Sequence, residues 1–167
     1  MPVKFNLKQL AVVFVLFFLC LIYLLPTIVT LDPLWFLSFN ERAERIILYK
    51  EGRQIILSPG SPGFEELNTA VNQAMSQITS IAHLGPSPET MVEFKSKELC
   101  VEMRYSRRVV IHSSFNFGRW NSLFIPLTGR YTDMKAVFTG LDGVYGANTP
   151  TVRNLDQVRA VVERLLP

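Results

Sequence analysis

Side chains that usually act as nucleophiles or metal ligands are few in this sequence. The 167 residues contain two cysteines and two histidines. Their spacing matches no HExxH, CxxC or His-x-His motif, so the sequence predicts no zinc site. GxSxG, P-loop and GxGxxG sequences are also absent. The sequence therefore predicts no metal, no cofactor and no familiar catalytic motif.

Glu102 and His112 are the residues best suited to acid–base chemistry. Residues 98–105 alternate in polarity, which is typical of a strand, and 106–108 predict a turn into a second strand over 109–113. With a three-residue turn, His112 faces Glu102 across the two strands. A carboxylate beside an imidazole can serve as a general base and the group that orients it. The alternative interpretation is an ordinary surface pair.

Cys100 lies on the same predicted strand face as Glu102. Because Cys20 falls in an apolar run that is assigned below to the membrane, Cys100 has no partner for an intramolecular disulfide. It is then either a small buried residue or a thiol able to react or to form an intermolecular disulfide. His83 is expected in the last turn of a helix, where a positive charge is favoured.

Arginines and aromatic residues are concentrated in the predicted loops after residue 103. A surface of this composition suits a protein partner, an anionic polymer or lipid headgroups. The alternative is a set of solvated turns. The candidate binding residues are Arg104, Arg107, Arg108, Arg119, Trp120 and Arg130, with Tyr131 beside the last of them.

Residues 10–31 are the element most clearly marked in the sequence, because they contain no charged side chain. A helix of this length, at about 1.5 Å per residue, spans about 30 Å and matches the hydrocarbon core of a bilayer. A cleaved signal peptide is one alternative, but the apolar core exceeds the usual length of about 7–15 residues and no A-x-A-like site follows it. A lipoprotein modified at Cys20 is another, but the large residues Phe18 and Leu19 precede that cysteine. We therefore expect an uncleaved, single-pass transmembrane anchor.

The flanks of the anchor predict its orientation. Lys4 and Lys8 precede the apolar run and Asp32 follows it. By the positive-inside rule, residues 1–9 form a short cytoplasmic tail and the C-terminal domain lies outside the cytoplasm.

Residues 32–44 are expected to form a juxtamembrane segment at the membrane interface. Asp32 and Pro33 are typical of a helix start and predict a short helix over 34–42. Aromatic rings favour the headgroup level of a membrane. The alternative is that these rings belong to the core of the domain. The rings in question are those of Trp35, Phe36 and Phe39.

Residues 45–167 are long enough to bury a core of their own. Segments 45–50 and 53–57 predict a β-hairpin, because Gly52 suits a tight turn between them. Apolar residues at steps of three and four predict a helix over 64–81, and a second amphipathic helix ends the chain. Further strands are predicted over 98–105, 109–113, 123–127 and 136–139. The result is an α+β domain, an antiparallel sheet packed by two helices on one face.

The composition narrows the range of functions. A net charge of +3 is small for a chain of this length, so nucleic-acid binding is not expected. The leading hypothesis is a non-enzymatic, membrane-anchored protein that binds or positions another envelope component, through the arginine-rich loops or a sheet edge at 123–127. One alternative is a membrane-proximal enzyme acting on lipid or cell-wall material through His112, Glu102 and Cys100. Another is self-association through the anchor or an edge strand.

Overall fold

A computed structural model describes residues 6–166, which form four helices and eight strands. Residues 1–5 of the expected cytoplasmic tail, and Pro167, lie outside this range. The order is α1 (Leu7–Thr30), β1 (Arg45–Lys50), β2 (Arg53–Leu57), α2 (Phe64–Met75), β3 (Ile78–His83), α3 (Pro88–Lys97), β4 (Cys100–Val110), β5 (Arg119–Pro126), β6 (Phe138–Leu141), β7 (Val144–Tyr145), β8 (Asn148–Val152) and α4 (Asp156–Leu165). The α+β class is therefore confirmed.

Helix α1 begins and ends at identifiable caps. The Asn6 side chain accepts a hydrogen bond from the backbone of Lys8, and Gln9 completes a capping box. Leu31, in the left-handed conformation at φ 56°, ends the helix. The helix is long and apolar enough to cross a bilayer, and none of its most apolar window is buried by the rest of the described chain. A signal sequence near the N-terminus has the same features.

Six strands form one antiparallel sheet in the order β2-β1-β4-β5-β6-β7, and β3 pairs with β8 in a separate two-stranded sheet. The predicted hairpin is confirmed as β1 and β2, with Lys50 opposite Arg53. Gly52, at φ 78°, supplies the positive φ that this tight turn requires. Strand β5 lies between β4 and β6, so the predicted sheet edge at 123–127 is wrong: this segment is interior and buried.

Both faces of the large sheet are covered by helices. Helices α2 and α4 pack on one face with apolar residues of β1, β4 and β5, including Leu48, Val101 and Leu123. Helix α3 covers the opposite face, where Phe94 stacks on Phe124 at 5.6 Å between ring centroids. The two helices expected from the sequence therefore pack on the same face of the sheet. Helix α3, which the sequence analysis does not predict, packs on the other face.

The predicted helix over 64–81 is too long. Helix α2 ends at Met75, and the residues from Ile78 to His83 form β3 instead. The spacing of Ile78 and Ile81 fits a helical stripe, but their segment is rich in β-branched residues and pairs with β8, about 70 residues along the chain. His83 consequently lies in a strand rather than in a last helical turn.

The predicted turn at 106–108 does not form. Strand β4 continues from Cys100 to Val110, and its pairing with β5 shifts register between Arg104 and Val109. Such a shift absorbs extra residues in an otherwise continuous strand. Because β4 continues without a turn from the first predicted strand into the start of the second, Glu102 and His112 do not face each other, and that predicted pair is wrong.

The juxtamembrane segment 32–44 contains no helix over 34–42; a turn at 33–36 leads into a stretch without regular secondary structure. Asp32 accepts a hydrogen bond from the Leu34 backbone at 2.9 Å, as a cap would, but the chain does not continue as a helix. Phe39 is buried and packs on Trp120 at 5.7 Å, whereas Phe36 is 59% exposed. The aromatic residues thus divide between the core and the surface.

Candidate functional site

Glu102 is a carboxylate buried in the centre of the molecule, with no exposed surface. The hydroxyl of Tyr49 donates to its Oε2 at 2.7 Å, and the hydroxyl of Tyr145 donates to its Oε1 at 2.9 Å. Two cations complete the group: Lys95 Nζ lies 3.1 Å from Oε2, and the Arg104 guanidinium is paired with Oε1. We refer to these five residues as the carboxylate cluster.

Four different elements bring the carboxylate cluster together. Tyr49 comes from β1, Glu102 and Arg104 from β4, and Tyr145 from β7, while α3 supplies Lys95. The Lys95 ammonium also lies over the Tyr49 ring at 5.1 Å from its centroid. Lys95 and Arg104 are each about one third exposed at the side chain, so both cations are partly accessible to water.

The electrostatics of the cluster favour an ionised Glu102. Burial alone raises the pKa of its carboxyl, but the Tyr49 hydrogen bond and the charges of Lys95 and Arg104 outweigh burial and hold the pKa below its usual range. Burial, together with the negative charge of Glu102, raises the pKa of both Tyr49 and Tyr145. The tyrosines therefore stay protonated as donors, and each carboxylate oxygen already receives two partners.

Cys100 is fully buried beside this cluster. Its Sγ donates to the Phe94 carbonyl at 3.6 Å, and burial raises the pKa of the thiol. A thiol held protonated and away from water is a poor nucleophile. This geometry agrees with the interpretation of Cys100 as a small buried residue.

The predicted arginine and aromatic residues do not form one continuous surface. Arg104 belongs to the carboxylate cluster, and Trp120 is buried against Phe39. Arg107 is exposed but bound to Glu41, with Nη2 2.9 and 3.1 Å from the two carboxylate oxygens.

Arg108 and Arg119 are exposed and lie near each other at one end of the sheet. Arg119 is opposite Val110 in the pairing of β4 with β5, two residues beyond Arg108. Neither has an acidic partner within 4 Å among residues 6–166. Arg130 lies in the loop after β5, at the opposite end, with its guanidinium over the Tyr131 ring at 4.8 Å. Of the candidate residues, Arg107, Arg108 and Arg119 lie at the same end of the sheet.

His112 lies beyond the end of β4 and contacts the juxtamembrane segment. Its Nδ1 is 2.7 Å from Oδ2 of Asp32, which follows α1 by two residues. Both side chains are partly buried. The histidine predicted to face Glu102 therefore joins the domain to the segment that leaves α1.

Sequence reasoning missed three members of the carboxylate cluster: Tyr49, Lys95 and Tyr145. Alternation along β4 placed Glu102 on a polar face, but this face is covered by α3, which was not predicted. A signal for α3 exists, since Ser87 caps it by accepting a hydrogen bond from the Thr90 backbone and Pro88 occupies its first turn.

The comparisons with known proteins assign this chain to no family. Scans against family models, curated proteins and solved structures found no match. Within residues 6–166, no group of three or more His, Cys, Asp or Glu side chains is placed to hold a metal ion.

Proposed function

We propose that this chain is a single-pass membrane protein whose C-terminal domain, held outside the cytoplasm, binds or positions another component of the envelope without catalysing a reaction. The observation that carries the proposal is α1, a 24-residue apolar helix that the rest of the described chain leaves uncovered. An uncovered apolar helix of this length requires a lipid or protein environment.

The way α1 joins the domain supports a positioning role. The juxtamembrane segment runs beside β4, with Asp32 at His112, Glu41 at Arg107, and the Glu44 backbone bonded to that of Arg104 at 2.8 Å. The domain is thereby held at a defined place relative to the end of α1. A protein that positions a partner near a membrane requires such a connection.

The alternative, a membrane-proximal enzyme, has weaker support. Its three candidate residues serve elsewhere: His112 is bound to Asp32, Glu102 is surrounded by donors, and Cys100 is a buried thiol. They do not converge on a common cleft.

The test is photocrosslinking in intact cells with the full-length protein. A photoreactive residue replaces Arg108, and a matched variant carries it at Arg53, which is exposed at the start of β2 at the other end of the sheet. We expect a reproducible adduct from position 108 that is absent from position 53. Adducts only between copies of the chain would indicate self-association instead. Extraction of the chain from membranes by alkaline carbonate would contradict the anchor itself.

A further inference from the structure

The arrangement around the end of α1 points to a ligand for the two unpaired arginines. We infer that Arg108 and Arg119 form a surface that binds the headgroups of anionic phospholipids in the membrane that holds α1. This inference rests on the proposed function, because it requires α1 to be in the membrane.

The first step concerns distance. Asp32 is two residues beyond the end of α1, so its Cα lies within about 7 Å of the end of the helix. Through its contact with Asp32, His112 lies at the same level. Val110 is within about 7 Å of His112 along the chain, and Arg119 is its direct partner across the sheet, about 5 Å away.

The second step compares these distances with the membrane. The headgroup region adds about 5–7 Å on each side of the hydrocarbon core. Arginine has a long side chain whose charged end extends toward an interface. At moderate ionic strength, electrostatic attraction acts over about 10 Å. The path from Asp32 through His112 and Val110 to Arg119 therefore brings Arg119 to the headgroups when it runs along the membrane surface, which is the orientation that the inference requires. Arg108, two residues farther along β4 from His112 than Val110, then lies within the range of the headgroup field.

The third step concerns charge. Acidic side chains at this end of the domain could neutralise the two arginines, but several already have partners. Asp32 is paired with His112 and Glu41 with Arg107, whereas Asp142 accepts a hydrogen bond from the neutral Asn121 side chain and keeps its charge, but does not lie within 4 Å of either arginine. The guanidinium groups of Arg108 and Arg119 have no acidic partner within 4 Å among residues 6–166. A phosphate ester accepts the paired N–H donors of a guanidinium well.

Apolar side chains of the juxtamembrane segment support the same surface. Leu34, Phe36 and Leu37 are 45%, 59% and 44% exposed, next to the end of α1. Apolar and aromatic groups at this level partition into the membrane interface. A basic surface beside an apolar one, both near the end of a membrane helix, favours a lipid over a soluble protein as the bound group.

The experiment measures which lipids lie beside the domain in the full-length chain. A fluorophore is attached at Ser114→Cys, on the exposed loop between β4 and β5, in a Cys20→Ala background; Cys100 is buried and does not react. The protein is reconstituted in phosphatidylcholine nanodiscs. A small equal fraction of either phosphatidylglycerol or phosphatidylcholine carries a nitroxide near the top of one acyl chain. The ratio of quenching by the two labelled lipids reports local enrichment of the anionic lipid.

We expect a ratio well above one for the native arginines, since each arginine near the surface contributes up to about a five-fold preference. The neutral double variant Arg108→Gln/Arg119→Gln should bring the ratio to about one, and Arg108→Glu/Arg119→Glu, which repels anionic headgroups, should bring it below one. The control Arg53→Glu/Arg130→Glu makes the same change in net charge at the opposite end of the sheet and should leave the ratio unchanged. Salt at 0.5 M should lower the ratio for the native protein.

Two results would overturn the inference: a ratio near one for the native arginines in a chain that resists carbonate extraction, or an equal loss in the Arg53/Arg130 control. A reproducible protein adduct from position 108, together with a ratio near one, would assign the surface to a protein and leave the proposed function intact. Failure of the chain to remain in the membrane would instead contradict the proposed function.

Discussion

The two faces of the six-stranded sheet are buried in different ways. Under α2 and α4, aliphatic and aromatic side chains interdigitate, and their stabilisation depends mainly on area and fit. Under α3, the apolar side chains are mostly aromatic, and the ionised Glu102 with its four partners lies among them. Apolar packing is non-directional, whereas a buried carboxylate needs its donors at particular positions. The α3 face therefore specifies the register of β1, β4 and β7 as well as stabilising them.

The largest expected effect comes from removing the carboxylate. Glu102→Ala leaves Lys95, Arg104 and two buried hydroxyls without their acceptor, and breaking a buried ion pair in this way costs about 3–5 kcal/mol. The free energy of unfolding is measured by guanidinium titration of the full-length protein in detergent, followed by near-ultraviolet circular dichroism. A loss below about 1 kcal/mol would show that the cluster contributes little to the α3 face.

A slightly smaller effect is expected on the apolar face. Leu67 of α2 is fully buried, and Leu67→Ala should cost about 2–5 kcal/mol through lost burial and a cavity. Leu67→Met, which conserves volume, should cost less than about 1.5 kcal/mol. The same titration measures the loss of stability caused by Glu102→Gln. This substitution keeps an acceptor for the tyrosines but leaves two cations without a counter-charge. Equal losses for Leu67→Met and Glu102→Gln would remove the distinction between the faces.

Two buried tyrosines on opposite faces of the sheet allow the same substitution to be compared on each face. Tyr49 donates to Glu102, so Tyr49→Phe should destabilise by about 1.5–3 kcal/mol, as expected for a hydrogen bond to a charged group. The Tyr105 hydroxyl, on the other face, is buried without a hydrogen-bond partner among residues 6–166. Tyr105→Phe should therefore change stability by less than about 0.5 kcal/mol, or increase it. Similar losses at both positions would contradict the assignment of their hydroxyls.

The smallest expected effect is a change in the pH dependence of stability. Because the pKa of Glu102 is lowered in the folded state, its ionised form stabilises the domain above the unfolded pKa, near about 4.3, and this contribution is lost as pH falls through the lower folded value. Glu102→Gln cannot titrate, so its stability should fall less steeply in acid than that of the native chain. Unfolding titrations between pH 3 and 7 measure the difference. Parallel curves would indicate that Glu102 is not held ionised.

The parts of the fold that could be predicted are those decided by neighbouring residues. The β1–β2 hairpin follows from local alternation and Gly52, and α4 follows from a single apolar stripe. Strand β3 was predicted as helix because Ile78 and Ile81 fit a helical spacing, and its partner β8 is distant in sequence. Propensity is a weak guide where non-local pairing decides the structure.

The carboxylate cluster was not predictable for a related reason. Alternation along β4 separates its two faces but does not reveal that both are covered. Glu102 can be buried only because α3 brings Lys95 over it and β7 brings Tyr145 beside it. Lys95 and Tyr145 are 7 and 43 positions from Glu102 along the chain, and Tyr49 is 53 positions from it. The candidate arginines can be selected from the sequence by residue type alone. The sequence does not show that Arg104 belongs to a buried cluster, because that depends on α3.

The attachment of residues 39–44 to the domain has a consequence for proteolysis between α1 and the domain. Asn68 and Asn72 of α2 both donate to the Glu41 carbonyl, at 3.1 and 3.0 Å, and Ala43 is buried. A protease must draw several residues of extended chain into its active site before it can cut. In this protein, those residues at 39–44 are held by side chains of α2 and β4 and become available only when that part of the domain opens. Cleavage of the chain between α1 and the domain at these residues would therefore be limited by opening of that part of the domain.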